Sequence, residues 1–149
     1  MGQQQLLLIV LGIIIVGIAI AVGVNMFQQS AVDTNRQALV SDLANLAAKA
    51  QRYYRTPHEL GGGAQSFLNF ELGRLDTANA NGSYRVFNSA QTSADNRPAA
   101  TSNIQITSYT AGDSIFVVGW GQELGDDGDY PVKACTAIAP SGIQTVIVN

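Results

Sequence analysis

The chain predicts an α+β fold in which one long N-terminal α-helix, apolar in its first half and amphipathic in its second, packs on a C-terminal antiparallel β-sheet. Three observations carry this reading. Leu6 to Val24 (LLLIVLGIIIVGIAIAVGV) holds no charge, no proline and nothing more polar than glycine. A run of about twenty such residues is the length a helix needs to cross a bilayer's hydrocarbon core. Asn25 to Tyr54 keeps a helical period with no Pro or Gly before Pro57. Beyond Asn81-Gly82 the pattern changes to short β-rich runs separated by turn residues. A helix of some fifty residues is a rod of roughly 75 Å, at about 1.5 Å per residue. No compact head made from the rest of the chain encloses such a rod, so three segments follow: an apolar membrane or filament-core half-helix over 1–27, an amphipathic half-helix over 28–56 and a β-sheet head over 57–149.

The first segment begins Met1-Gly2-Gln3-Gln4-Gln5. It lacks both the basic region and the small-residue cleavage site of a secretory signal, and Leu6 stands where N-myristoylation wants Ser or Thr. The segment is therefore either a mature start whose basic leader is gone or an uncleaved anchor, and flanking charges do not orient it because the first charge of either sign is Asp33. Gly12, Gly17 and Gly23, with Gly2 before them, interrupt the bulky side chains. Small residues let helices approach closely, while each glycine weakens the helix by up to about 1 kcal/mol.

In the second segment Val32, Leu39, Leu43, Leu46, Ala50 and Tyr53 recur at spacings of seven, four, three, four and three. That heptad-like stripe packs one face on the head, with Gln37, Asp42, Lys49 and Arg52 off it. Arg52 and Arg55 oppose the negative end of the helix dipole and Pro57 ends the helix. Gly61-Gly62-Gly63 reads as a flexible hinge, and Phe67 and Phe70 as cover for the stripe. Tyr84 to Phe87, Ile104 to Thr107, Ile115 to Val118, Val132 to Ile138 and Ile143 to Val148 read as strands, and Ser89 to Ser102 as an exposed loop. The predicted core sets Leu39, Leu43, Leu46 and Ala50 against Ile104, Ile106, Phe116, Val118 and the C-terminal strands.

Several function classes find no support. The net charge is −3 and the eight Lys and Arg residues are scattered, which argues against nucleic-acid binding. One His and one Cys furnish no catalytic set, no disulfide within the chain and no zinc site, and no phosphate-binding glycine loop or cofactor motif is present. The chain is thus expected not to be an enzyme and to need no cofactor. Gly125-Asp126-Asp127-Gly128-Asp129-Tyr130 is the one metal-like run, with Asp126, Asp127 and Asp129 as oxygen donors for a cation such as Ca²⁺, although it lacks the spacing and closing Glu of an EF-hand. A solvated acidic turn is the plainer reading. Asn81-Gly82-Ser83 fits the N-glycosylation pattern, so Asn81 is a candidate acceptor.

A half-apolar, half-amphipathic helix of about fifty residues, followed by a linking loop and an antiparallel sheet, resembles the type IV pilins and related pseudopilins. In that family a basic leader is cut after a glycine, the new first residue is often Phe or Met, and a glutamate commonly stands fifth. Met1 agrees if the chain is mature; Gln5 departs, keeping a glutamate's reach without its charge. Alternatively Met1-Gly2 is a minimal leader and Gln3 comes first. The family's proline in the apolar segment and its C-terminal cysteine pair are both missing. The resemblance implies a structural subunit of a type IV pilus-like filament, held first in the inner membrane, polymerised with copies of itself by a pilus assembly machinery and displayed at the cell surface. A secretion pseudopilin is the alternative within the family, and a single-pass anchored binding module that stays monomeric is the alternative outside it. On the filament reading Met1, Gln3, Gln4, Gln5, Gly12, Gly17 and Gly23 form the assembly surface.

Overall fold

Nothing between Gly2 and Tyr54 breaks a helix, and none is broken. In the computed structural model, which describes residues 2–96 and 104–149, α1 runs from Gly2 to Arg55. Met1 and the end of the predicted Ser89 to Ser102 loop lie outside the described residues. The helix stops where proline requires: Thr56 N donates to Arg52 O, and Pro57 then opens a single 3₁₀ turn over His58–Leu60.

The triple glycine that follows is a fixed corner, which corrects the hinge expected from sequence. Gly61 takes a left-handed backbone (φ +79°), and Gly63 N donates to Tyr53 O at 2.8 Å, Ala64 N to Thr56 O at 2.9 Å and Gln65 N to Tyr54 O at 2.8 Å. These bonds occupy carbonyls that the helix end leaves without a partner. Gly62 and Gly63 are buried against Thr56 and Ser66, where a Cβ would strike backbone. Glycine serves here for close approach rather than for freedom.

Four strands form one antiparallel sheet in the order β1 (Gly82–Phe87), β2 (Ile115–Leu124), β3 (Pro131–Ala139), β4 (Gly142–Ile147). β3 and β4 join through a two-residue turn at Pro140-Ser141, with Ala139 opposite Gly142. Ile104 to Thr107 is not one of the strands. Gln105 makes an isolated bridge to Glu71, and Ile106 N donates to Phe70 O, which stitches this segment to the loop after the helix.

The helix stripe and one sheet face make the main core. Leu39, Leu43, Leu46, Ala47 and Ala50 pack with Tyr84, Val86, Ile115, Val117, Val132, Ala134 and Ile138, and Phe67, Phe70, Leu72 and Ile106 close the far end. Burying each large side chain stabilises by about 1.5–3 kcal/mol. The expected core erred by one residue in β2: Val118 and Phe116 face away from the helix, and Ile115 and Val117 face it. Since side chains alternate along a strand, a one-residue slip exchanges the faces. Ile104 is only half-buried.

The outward face of the sheet holds a second cluster of Val118, Trp120 and Cys135, flanked by Phe87, Phe116 and Val148. Segment 88–96 is tied over it by a buried cation. Lys133 Nζ donates to Ser93 O and to Asp95 Oδ1, both at 2.7 Å, and lies 5.1 Å from the centre of the Trp120 ring, whose Nε1 also donates to Asp95 at 3.0 Å. Lys133 is fully buried, and such a charge is tolerable only with partners of this kind.

Candidate functional site

The feature that demands a function is the bare half of α1. None of residues 2–31 is buried, and Leu6 to Val24 present bulky apolar side chains that are 48–67% exposed. An eighteen-residue window of this helix has mean hydropathy 3.2 and is 0% buried, so the helix is long and apolar enough to cross a membrane. Sixteen large apolar residues from Leu6 to Phe27 face outward. At about 1 to 2 kcal/mol for each half-exposed side chain, leaving them in water costs roughly 15–30 kcal/mol, more than the whole stability of an ordinary domain. This surface must lie in lipid or against protein.

Helical geometry sorts the expected assembly residues. At about 100° per residue, Gln5, Gly12 and Gly23 fall on one line, joined by Ala19. The line continues through Ser30, Ser41 and Ala48, all exposed, on the side of the helix opposite Leu39, Leu43 and Ala50. Gly17 lies about 140° away from Gly12, and Gln3 and Gln4 point to two further sides. No Cβ added at Gly12, Gly17 or Gly23 would meet any atom within 4 Å. These glycines therefore answer no packing need within the chain.

At the neck, where the bare helix meets the head, Arg36 ties the helix to the turn between β2 and β3 and to Asn149. Its Nη2 pairs with Asp126 Oδ2 at 2.7 Å, its Nη1 with Asp33 Oδ1 at 3.2 Å, and its Nε donates to Asn149 O at 3.3 Å. The hydrogen bond to Asp126 is the main reason its pKa is raised, against a smaller opposing effect of burial. Asp127 Oδ1 accepts from the backbone N of Asp129 and Tyr130, holding the turn between β2 and β3. The three aspartates suggested as calcium donors are thus spread over an ion pair, a turn cap and solvent. Among the described residues no group of three His, Cys, Asp or Glu side chains is placed to hold a metal.

Asp42 is a second hub that the sequence did not disclose. Its Oδ2 accepts from Asn79 Nδ2 at 2.8 Å, Asn81 Nδ2 at 2.8 Å and Tyr84 Oη at 2.7 Å. Burial pushes its carboxyl up, but the bonds from Asn81, Tyr84 and Asn79 outweigh that and hold it below the usual range. Tyr84 is pushed up, first by burial and then by the bond to Asp42. The nitrogen of Asn81 that would carry a sugar is one of these donors, and Ser83 of the same triplet is buried in β1. Cys135 is buried, and burial raises its thiol pKa.

No family model matches the chain, and neither a curated protein nor a solved structure matches it.

Proposed function

We propose that this chain is a structural subunit of a type IV pilus-like filament, in which the apolar halves of many copies bundle along the axis and the heads face outward. The observation that carries the reading is the continuity of α1: one rod of 54 residues, its C-terminal part clamped in a stable head and its N-terminal part stripped of all contact. A plain membrane anchor needs only about twenty apolar residues and tolerates a flexible joint. Here the apolar half continues the head's own core helix without a break, which couples head position to helix position as a polymer with defined symmetry requires.

The subunit would wait in the inner membrane with Leu6 to Val24 in lipid, then transfer that segment into the bundle with the help of an assembly machinery. Lipid tails and neighbouring helices are similarly apolar, so hydrophobicity itself contributes little to the transfer. Close packing and hydrogen bonds decide it. The line of Gln5, Gly12, Ala19 and Gly23 supplies a face where another helix can approach, and Gln3, Gln4 and Gln5, aimed to three sides, supply neutral hydrogen bonds that fix register. The chain would carry no enzymatic activity and bind no nucleic acid.

The test is direct. Full-length protein released from detergent should form thin filaments of uniform diameter by electron microscopy, and cells producing it should shed the same filaments on shearing. Protein that stays monomeric in detergent and remains wholly with the membrane fraction would favour the anchored binding module instead.

A further inference from the structure

The two ends of the head are chemically unlike. At the neck, α1 and the turn between β2 and β3 enclose a groove of about 830 Å³ whose lining includes Phe27, Val32, Asp33, Glu123, Leu124 and Asp126. Phe27 is 80% exposed and Leu124 54% exposed. Around them stand Asp33, Glu123, Asp126, Asp127 and Asp129, five of the chain's eleven acidic residues, and among the described residues Arg36 is the cation paired with them, through Asp33 and Asp126. At the other end, roughly 30–40 Å along α1 from Phe27, Leu60 is 77% exposed and Leu75 91% exposed. Both lie beside Arg52 in grooves that it lines with each of them. Lys49, Arg52, Arg55 and Arg74 stand at this end with Asp42, Glu59, Glu71 and Asp76; Asp76 is paired to Lys49, and Asp42 is held by Asn79, Asn81 and Tyr84. Among the described residues Arg52, Arg55 and Arg74 make no ion pair.

Resting on the filament reading, we infer that the neck groove of one subunit receives the Leu60–Leu75 end of another, with Arg52 and Arg55 of the incoming head facing Glu123 and the neighbouring aspartates. Two apolar knobs would enter an apolar groove, and Arg52 and Arg55, which make no ion pair among the described residues of their own head, would meet the carboxylates that rim it, so the contact has a hydrophobic and an electrostatic part. The contact joins different surfaces of two identical chains. Such a heterologous interface leaves a free knob and a free groove at the ends and propagates as an open helix when its rotation does not close a ring. A lipid surface fits the groove less well, because five carboxylates would face the negative potential of anionic headgroups.

Charge exchange in the full-length chain tests this. Arg52→Glu with Arg55→Glu, or Glu123→Lys with Asp129→Lys, places like charges across the contact and should lower filament yield about tenfold or more. All four changes together should restore it to within about twofold. All four residues are exposed, and circular dichroism of each variant checks that the head still folds. A chain with Leu60→Cys and Leu124→Cys should, on oxidation of filaments, give a disulfide ladder of dimers, trimers and longer species. Filaments indifferent to charge reversal, a combined variant that is not rescued, or cross-linking that stops at dimers or is absent would each overturn the inference while leaving the filament reading intact. Variants changed only in binding to phosphatidylserine vesicles would reassign the groove to the membrane surface. No filaments from the unaltered chain would remove both.

Discussion

Cutting the chain at Gln28 should leave a folded head whose stability is almost that of the intact protein. Residues 2–27 contribute no buried side chain, and only Gly23 among them is half-buried, so the cut removes the sixteen outward apolar residues without opening the core. By the usual scale of changes that touch no core contact, the shift should stay within about 1 kcal/mol. Leu43→Ala in the same shortened chain supplies the contrast. Leu43 is fully buried between helix and sheet, and truncating such a leucine costs about 2–5 kcal/mol once the cavity is included. For a head of this size that lowers the melting temperature by roughly 10–20 °C. Thermal and urea unfolding followed by circular dichroism measures both. A shortened chain with no cooperative transition would refute the division into bare half-helix and self-sufficient head. An unchanged midpoint in Leu43→Ala would refute the packing of α1 on the sheet.

Ile14→Asp should abolish filament formation while leaving the head's unfolding midpoint unchanged, because an unpaired carboxylate in an apolar bundle costs several kcal/mol; electron microscopy and circular dichroism separate the two effects. Gln5→Leu should impair assembly or blur filament order, Gln5→Glu should be tolerated if a neighbour's amino terminus lies close, and assembly of the unaltered chain should vary little between about pH 4 and 8, where a glutamate would begin to protonate near 4.3. The stability of the shortened head should fall at both extremes of pH. Asp42 has its carboxyl pKa depressed on folding, so its contribution is present above the ordinary aspartate pKa and lost as acid protonates it; Tyr84 has its pKa raised, so its contribution is complete below about 10 and lost above that as the unfolded chain ionises first. Replacing Asp42 by Asn should flatten the acid side in a urea titration across pH.

The helix and the β-rich runs were legible because their signals are local. Leu39, Leu43, Leu46 and Ala50 fall on one side of any α-helix, and Pro57 stops it wherever the head lies. Strand faces were harder. Ile115-Phe116-Val117-Val118 is apolar throughout because both faces of β2 are covered, so alternation could not say which pair meets the helix. The strand also runs on to Leu124 through Gly119 and Gly121, beyond the Ile115 to Val118 run that the sequence pattern marks. Both glycines are there for space: a Cβ on Gly119 would stand 3.2 Å from Leu39 Cγ and 3.0 Å from the Tyr84 ring, and one on Gly121 would collide with the Asn35 side chain. Likewise the burial of Lys133 depends on Asp95, far away in sequence, and the bonds that converge on Asp42 and Arg36 come from turns whose positions only the folded sheet decides. The bare half of α1 was the reverse case, since its apolar composition and the length of the unbroken helix together showed that no head could cover it.

The most direct test of the central claim is a helical reconstruction of the filaments formed by the full-length chain. It should show an unbroken or locally softened α1 in every subunit, with Leu6 to Val24 in an axial bundle, Gln5 hydrogen-bonded to a neighbouring subunit and the sheet on the outside. A filament whose core is built from the sheets, with the apolar half-helices on its surface or left in detergent, would contradict it.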